Sequence, residues 1–326
     1  MEFVRRVSAL PPSRRGCVLT IGNFDGVHRG HQAIIQRLTT LAATHGRPAT
    51  LLTFDPTPLE FFKPELAPAR LSSLREKIED TARYGLQRLV RARFDARFAA
   101  QPPAEFVRSL LVGQLSVAAV MVGTDFRFGR DRVGDLAMLE TLGRECGFEV
   151  LPVPTISVDG QRVSSTRVRE ALAAGKPDVA ETLLGRPYRV SGRVISGQRL
   201  GRSLGVPTAN LDLQRKVAPR HGVYAVRVRL ADGRVLDGAA SLGTRPTVNG
   251  QGCLLEVHLL DFNEDLYGTR IAVFFHAFLR GEVRFDSTSA LRDAMMADID
   301  HARTLLARIP PAGDEPNPDT NRGTHV

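Results

Sequence analysis

As far as residue 153 the chain alternates short apolar runs with amphipathic stretches, and beyond Gly185 short runs follow one another with no helical pattern between them. This change of rhythm restricts the chain to two architectures joined in series. In the first half, apolar runs at residues 17–24, 49–54, 89–94, 117–123 and 149–153 are spaced by amphipathic segments at 31–44, 74–84, 104–112 and 135–146. Pro103 stands at a helix-start position. Such alternation predicts right-handed βαβ units, hence an α/β fold whose parallel sheet is covered on both faces. The Pro-rich segment 55–68 interrupts the rhythm and reads as a functional loop.

After Gly185 the runs fall at 188–195, 222–230, 235–242, 254–261 and 271–279. Tyr224, Val226, Val228 and Leu230 alternate with Arg227 and Arg229, the period of a half-buried strand. A glycine-containing turn at 231–234 joins two of the runs. Successive strands without helices predict an antiparallel sheet or small β-barrel. A closing helix carries Leu291, Met295, Ile299, Ala302 and Leu306 on one face. From Pro310 the chain is polar and Pro-rich, the composition of a disordered tail. The expected domains are therefore 1–185 and 186–308, with a tail at 309–326. The 326 residues are 43% hydrophobic, enough for a core in each half.

Composition narrows the classes further. The apolar run Val117–Val122 is far too short to span a bilayer, and residues 1–10 lack the apolar core of a secretion signal. The three cysteines lie far apart, with neither disulfide nor zinc spacing, which fits a reducing cytoplasm. Four lysines and forty arginines dominate a net charge of +9. Because the arginines are scattered and not interleaved with aromatics, anionic small substrates are expected rather than nucleic acid. No membrane partner is expected, and oligomeric state is not legible.

The first chemical constellation is the string Gly22-Asn23-Phe24-Asp25-Gly26-Val27-His28-Arg29-Gly30-His31, where the first strand ends and a helix starts. That position offers free backbone N–H groups and a positive helix end to an anion. Gly26 and Gly30 permit close approach to phosphate, and His28 and His31 add donors that can stabilise charge on a transferring phosphorus. The same residues also read as a plain strand-turn-helix corner, or as a metal pair lacking a third ligand. Farther on, Ser164-Ser165-Thr166-Arg167-Val168-Arg169 precedes a helical run, where hydroxyls can cap the helix or bind phosphate and arginines can clamp it. Gly123 to Gly129 follows a strand and can line the same crevice.

These strings, with Thr53-Phe54-Asp55-Pro56, resemble the adenylyltransferase module of bacterial FAD synthetases across about residues 15–185. The resemblance implies a Rossmann-like HxGH nucleotidyltransferase in which His28 and His31 are catalytic. It implies ATP contacts at Gly22, Phe24, Asp25, Ser164, Ser165, Thr166 and Arg169, and flavin contacts at Phe54, Pro56, Phe62 and Asp125. Thr57 stands where that family usually has His.

The second half carries a string from Gly197 to Asn210 with Gly197, Gly201 and Gly205 at four-residue intervals. It reads as a phosphate-wrapping loop or as an ordinary glycine-rich hairpin, and no Walker Lys-Ser/Thr follows. Thr208 and Asn210 offer hard oxygen ligands suited to Mg²⁺ held mainly by nucleotide phosphates. Glu256 reads as a solvent-facing strand carboxylate or as a general base for a hydroxyl. Residues 186–306 resemble riboflavin kinases, small antiparallel barrels with a C-terminal helix. That resemblance implies ATP contacts at Gly201, Gly205, Thr208 and Asn210, Mg²⁺ at Thr208 and Asn210, and Glu256 as the base. Ser241 stands where Asn is usual.

The order of the modules resembles the bifunctional bacterial riboflavin kinase/FAD synthetases. It implies conversion of riboflavin to FMN with Mg²⁺·ATP, then of FMN and ATP to FAD and pyrophosphate. Another HxGH nucleotidyltransferase, such as a pantetheine-phosphate or cytidylyl enzyme, leaves the second half unexplained. An Arg-rich RNA-binding protein is the non-enzymatic alternative.

Overall fold

The computed structural model describes residues 1–154, 157–158, 160–197, 204–213, 216–247 and 250–310. It divides into two compact units, Met1–Pro68 with Ser72–Ser164, and Ala69–Leu71 with Ser165–Val326.

The first unit runs β1 (Glu2–Val4), β2 (Cys17–Ile21), α1 (Arg29–Thr44), β3 (Ala49–Phe54), α2 (Pro58–Phe62), α3 (Leu74–Arg83), β4 (Arg88–Ala92), α4 (Ala96–Ala99), α5 (Pro103–Glu105), β5 (Val117–Gly123), α6 (Leu136–Cys146) and β6 (Glu149–Val153). The six strands form one parallel sheet in the order β1-β4-β3-β2-β5-β6. β7 (Ser157–Val158) and β8 (Gln161–Arg162) add a small antiparallel pair. Strands covered on both faces read as unbroken apolar runs. Accordingly Val18, Leu51, Leu89 and Ala119 pack against Ile35 and Leu38 of α1, while Leu19, Leu52, Val90 and Val120 pack on the other side with Leu111 and Leu139.

Several expected elements shift. The first run stops at Ile21 rather than residue 24, because Phe24, Gly26 and Val27 take positive φ values of 47°, 80° and 44°. The segment expected as a helix at 104–112 continues from α5 as a π-helix, Phe106–Gln114. The 55–68 loop contains α2. The three-residue edge strand β1 went unforeseen; an ion pair between Arg88 Nε and Glu2 (2.7 Å) reinforces it.

The second unit opens with α7 (Ser165–Ala173) and α8 (Pro177–Leu184). Then come β9 (Tyr188–Ile195), β10 (Ala209–Asp212), β11 (Gly222–Arg229), β12 (Val235–Thr247), β13 (Gly250–Leu259), β14 (Arg270–Arg280) and α9 (Thr288–Leu306). The strands close an antiparallel barrel in the order β10-β13-β12-β11-β14-β9. Strand β10 is too short to show a period in the sequence. Strand β11 is buried along its whole length, not half-buried as its alternation suggests. The outward positions are covered by α9, whose Ile299, Ala302 and Leu306 cluster with Ala225 and Ala239. Arg227 is buried there because its guanidinium donates to the Leu306 (3.1 Å) and Ile309 (2.6 Å) carbonyls and to Pro310, ending α9. Of the expected tail, residues 311–326 lie outside the described residues.

Candidate functional site

The turn between β2 and α1 lies at the carboxyl edge of the parallel sheet, where β2 sits between β3 and β5 and the strand order reverses direction. Two non-glycine residues with positive φ are costly. Burial holds them, since Phe24 is 3% exposed and Val27 fully covered. His28 is the N-cap of α1, its Nδ1 accepting from the His31 backbone N–H at 3.4 Å. Its ring stacks on His31 (3.7 Å, 18°), which stacks on Phe24 (4.4 Å, 21°). A Cβ on Gly30 would lie 3.1 Å from the His28 ring, so glycine gives that ring its place.

Two further elements brace the turn. Asp25 Oδ1 accepts from the Ser72 N–H (3.0 Å) and hydroxyl (3.3 Å), and Ser72 Oγ accepts from the Gly26 N–H (3.1 Å). From α3, the buried Lys77 donates to Thr53 Oγ1 (3.3 Å), which donates to the Asn23 carbonyl (3.3 Å). His31 Nδ1 is buried with no hydrogen-bond partner among the described residues. Burial above all, with His28 and Lys77 beside it, holds the His31 pKa well below the usual histidine value. The ring is therefore neutral at pH 7, in a desolvated corner that also presents the α1 N-terminus. The sequence reading missed Ser72 and Lys77. The one available signal for Lys77 was lysine's scarcity in so Arg-rich a chain. Among the described residues no three His, Cys, Asp or Glu are placed to hold a metal ion, so the metal-pair reading finds no third ligand.

Phe54 ends β3 and begins an aromatic ladder. It meets Phe94 (5.8 Å) and Phe98 (5.6 Å), and Phe94 meets Phe61 (5.6 Å) and Phe62 (5.7 Å). At the ladder's end Phe62 is 61% exposed, a large apolar face open to a planar ligand. Pro56 links β3 to α2, and Thr57 caps α2: its Oγ1 accepts from the Glu60 N–H (3.4 Å) while Glu60 accepts from the Thr57 N–H (2.8 Å). Asp125 is exposed and paired with Arg162 at 2.9 Å.

Helix α7 begins at Ser165, so Ser164 precedes it and Thr166 lies exposed in its first turn. Val168 anchors the helix fully buried, and Arg169 Nε donates to the Ala69 carbonyl at 2.7 Å within the second unit.

On the barrel's outer face a cavity of about 510 Å³ is lined by Thr208, Asn210, Ser241, Glu256 and His258 together with residues of α9. Register explains the grouping. Asn210 pairs across from Glu256, and Glu256 from Ser241, so the three side chains form one row on one face. The intervening Leu255 and Val257 point into the barrel and are fully buried. Asn210 is 4% exposed; its Nδ2 donates to the Thr208 carbonyl (3.3 Å), leaving Oδ1 buried without a partner among the described residues. A Cβ on Gly197 would lie 2.5 Å from Asn210 Nδ2, which explains a glycine there. Gly205 has φ +80° and nothing within 4 Å of a Cβ, while Gly201 lies outside the described residues. Also lining the cavity, Arg280 binds Asp298 of α9 through Nε (3.0 Å) and Nη2 (2.7 Å), a pairing the sequence does not reveal.

A family model described as FAD synthetase matches residues 10–167, and one described as riboflavin kinase matches residues 184–306. The chain is 51% identical to a bifunctional riboflavin kinase/FMN adenylyltransferase of Pseudomonas fluorescens over 308 residues, covering 94% of this chain and 98% of that protein. It is 45% identical to the bifunctional riboflavin kinase/FMN adenylyltransferase of Escherichia coli K12, covering 96% and 100%. A solved structure described as a macrolide-efflux protein from Streptococcus pneumoniae matches with a TM-score of 0.78 and 29% identity, covering 92% of this chain and 98% of that one. No helix among the described residues is long and apolar enough to cross a membrane.

Proposed function

The chain belongs to the bifunctional riboflavin kinase/FMN adenylyltransferases, and from that premise we propose which of its residues carry each reaction. Riboflavin, FMN and ATP are the substrates these activities imply. The kinase is assigned to 186–308 and the adenylyltransferase to 1–185.

In the kinase, Glu256 accepts the proton of the terminal ribityl hydroxyl as its oxygen attacks the γ-phosphorus, releasing ADP. The observation that carries this reading is the row Asn210–Glu256–Ser241 on the wall of the 510 Å³ cavity. The buried Oδ1 of Asn210, without a partner among the described residues, is the acceptor a hard cation wants, and Thr208 is its neighbour in the cavity. Thr208 and Asn210 would thus hold Mg²⁺, which when bound neutralises phosphate charge. Gly205 serves the nucleotide loop, with Gly201 assigned by resemblance alone.

In the adenylyltransferase, an FMN phosphate oxygen attacks the α-phosphorus of ATP and pyrophosphate departs. The α1 N-terminus, His28 and His31 stabilise the negative charge that develops, supported by Gly22, Phe24 and Asp25 of the turn. Ser164, Ser165, Thr166 and Arg169 are assigned as a second phosphate-binding segment by resemblance alone. Phe54, Pro56 and Phe62 receive the isoalloxazine, with Asp125 as a polar contact. We place the enzyme in the cytoplasm on its three free thiols, Cys17, Cys146 and Cys253. No nucleic-acid or membrane partner is proposed, since arginines such as Arg227, Arg280 and Arg303 are engaged within the chain.

Incubation with riboflavin, ATP and Mg²⁺, followed by separation of the flavins, tests the reading. FMN should appear first and FAD after it; FAD formed without intermediate FMN, or no turnover, would contradict it.

A further inference from the structure

His258 lies two residues along β13 from Glu256, on the same outward face of the barrel, and lines the same cavity. Its Nδ1 is 2.8 Å from the carbonyl oxygen of Pro207. A carbonyl only accepts, so Nδ1 carries the proton. That carbonyl and the Thr208 N–H share one planar peptide unit, so holding the oxygen fixes how the plane is turned and where Thr208 leaves the backbone. The next carbonyl, of Thr208, is held by Asn210 Nδ2 at 3.3 Å. Val206, buried at 2% exposure, anchors the segment from the other end. The short stretch before β10 is thus tied at three consecutive residues, and only the Pro207 tie comes from a neighbouring strand's side chain.

We propose that His258 is a positioning residue of the kinase. Its Nδ1–H locks the Pro207–Thr208 peptide so that the Thr208 hydroxyl and Asn210 Oδ1 are presented together to the metal-bearing phosphates. The proposal rests on the kinase reading of Thr208 and Asn210 given above.

The test uses the full chain with His258→Asn, His258→Gln and His258→Ala, and Asn210→Ala alongside. An Asn amide nitrogen reaches about as far from the backbone as His Nδ1, whereas a Gln amide reaches the position of Nε2. Only Asn restores the donor. Two measurements are made: kinase rate against Mg²⁺·ATP, and calorimetric titration with Mg²⁺·ADP. His258→Ala and His258→Gln should raise the KM for Mg²⁺·ATP and weaken Mg²⁺·ADP binding by about tenfold, the scale of one hydrogen bond, with kcat changed much less. His258→Asn should restore both values, and FMN adenylylation should be normal in all three. Unchanged Mg²⁺·ADP binding in His258→Ala, or equal losses in Asn and Gln, would overturn the proposal. If Asn210→Ala also binds Mg²⁺·ADP normally, the kinase reading itself falls; if Asn210→Ala loses binding while His258→Ala does not, only the role of His258 falls.

Discussion

At the scale of residues, the parts proposed for His28 and His31 can be separated by substitution. The cap of α1 uses the side chain of His28 but only the backbone of His31. His28→Ala should therefore cost about 1 kcal/mol of stability as well as activity, whereas His31→Ala should leave the cap in place. Both should slow FMN adenylylation by about 10²–10³-fold, the scale of losing one oxyanion-type donor, and leave riboflavin phosphorylation intact. Thermal melts beside the two assays check this; an unchanged adenylylation rate in both variants would remove the pair from the chemistry. His276, on β14 and 8% exposed, gives a pH prediction. Burial first, then Arg227, pushes its pKa down to about 4, with Asp237 opposing. The unfolded chain then takes up this proton at a higher pH than the folded one does. The contribution is fully present above about pH 6.5 and is lost as pH falls toward 4. Denaturant titrations across that window should show stability falling, with a shallower slope in His276→Gln; identical slopes would refute the assignment.

At the scale of elements, α9 forms one side of the cavity assigned above to the kinase and is ended by Arg227. Arg227→Ala strips charge-assisted bonds from the Leu306 and Ile309 carbonyls, so a loss of about 1.5–3 kcal/mol is expected. Faster amide exchange should appear in the last turn of α9, together with a raised KM for riboflavin. Protection as in the parent chain would mean that packing of Ile299, Ala302 and Leu306 suffices. This Arg227 clamp also marks where the sequence stopped being informative. Its alternation with Tyr224, Val226 and Val228 announced a strand, but period 2 cannot say that a helix will cover the outward positions. The parallel strands were legible because burial on both faces leaves long apolar runs such as residues 117–122. The edge strand β1, at three residues, and β10, at four, are too short to carry a period. Likewise the histidine turn was visible as a string, whereas Ser72 and Lys77 reach it only through tertiary packing. Glu256 and Asn210 stand out in the sequence only separately, because the register that makes them neighbours depends on barrel closure.

At the scale of the whole molecule, the two compact units do not divide where the strand-helix rhythm changes. Helices α7 and α8 precede Gly185, yet they belong with the barrel: the Arg220 N–H donates to the Leu172 carbonyl (3.0 Å), and a Cβ on Gly175 would lie 3.2 Å from the Phe278 ring. A fragment starting at Ser165 should therefore melt higher than one starting at Arg186. Both should phosphorylate riboflavin and make no FAD; equal melting temperatures would show that the helices add nothing to the barrel. The central claim is that two separate sets of residues perform the two reactions. Paired assays on full-length Glu256→Gln and His31→Ala, one started with riboflavin and one with FMN, test it most directly. Gln keeps the size of Glu but is a very poor base, and the phosphate nucleophile of the second reaction needs none. Glu256→Gln should lose about two to four orders of magnitude in riboflavin phosphorylation while converting FMN to FAD at a near-normal rate. His31→Ala should show the reverse pattern and accumulate FMN. Loss of both reactions in both variants, or a normal kinase rate in Glu256→Gln, would contradict the division.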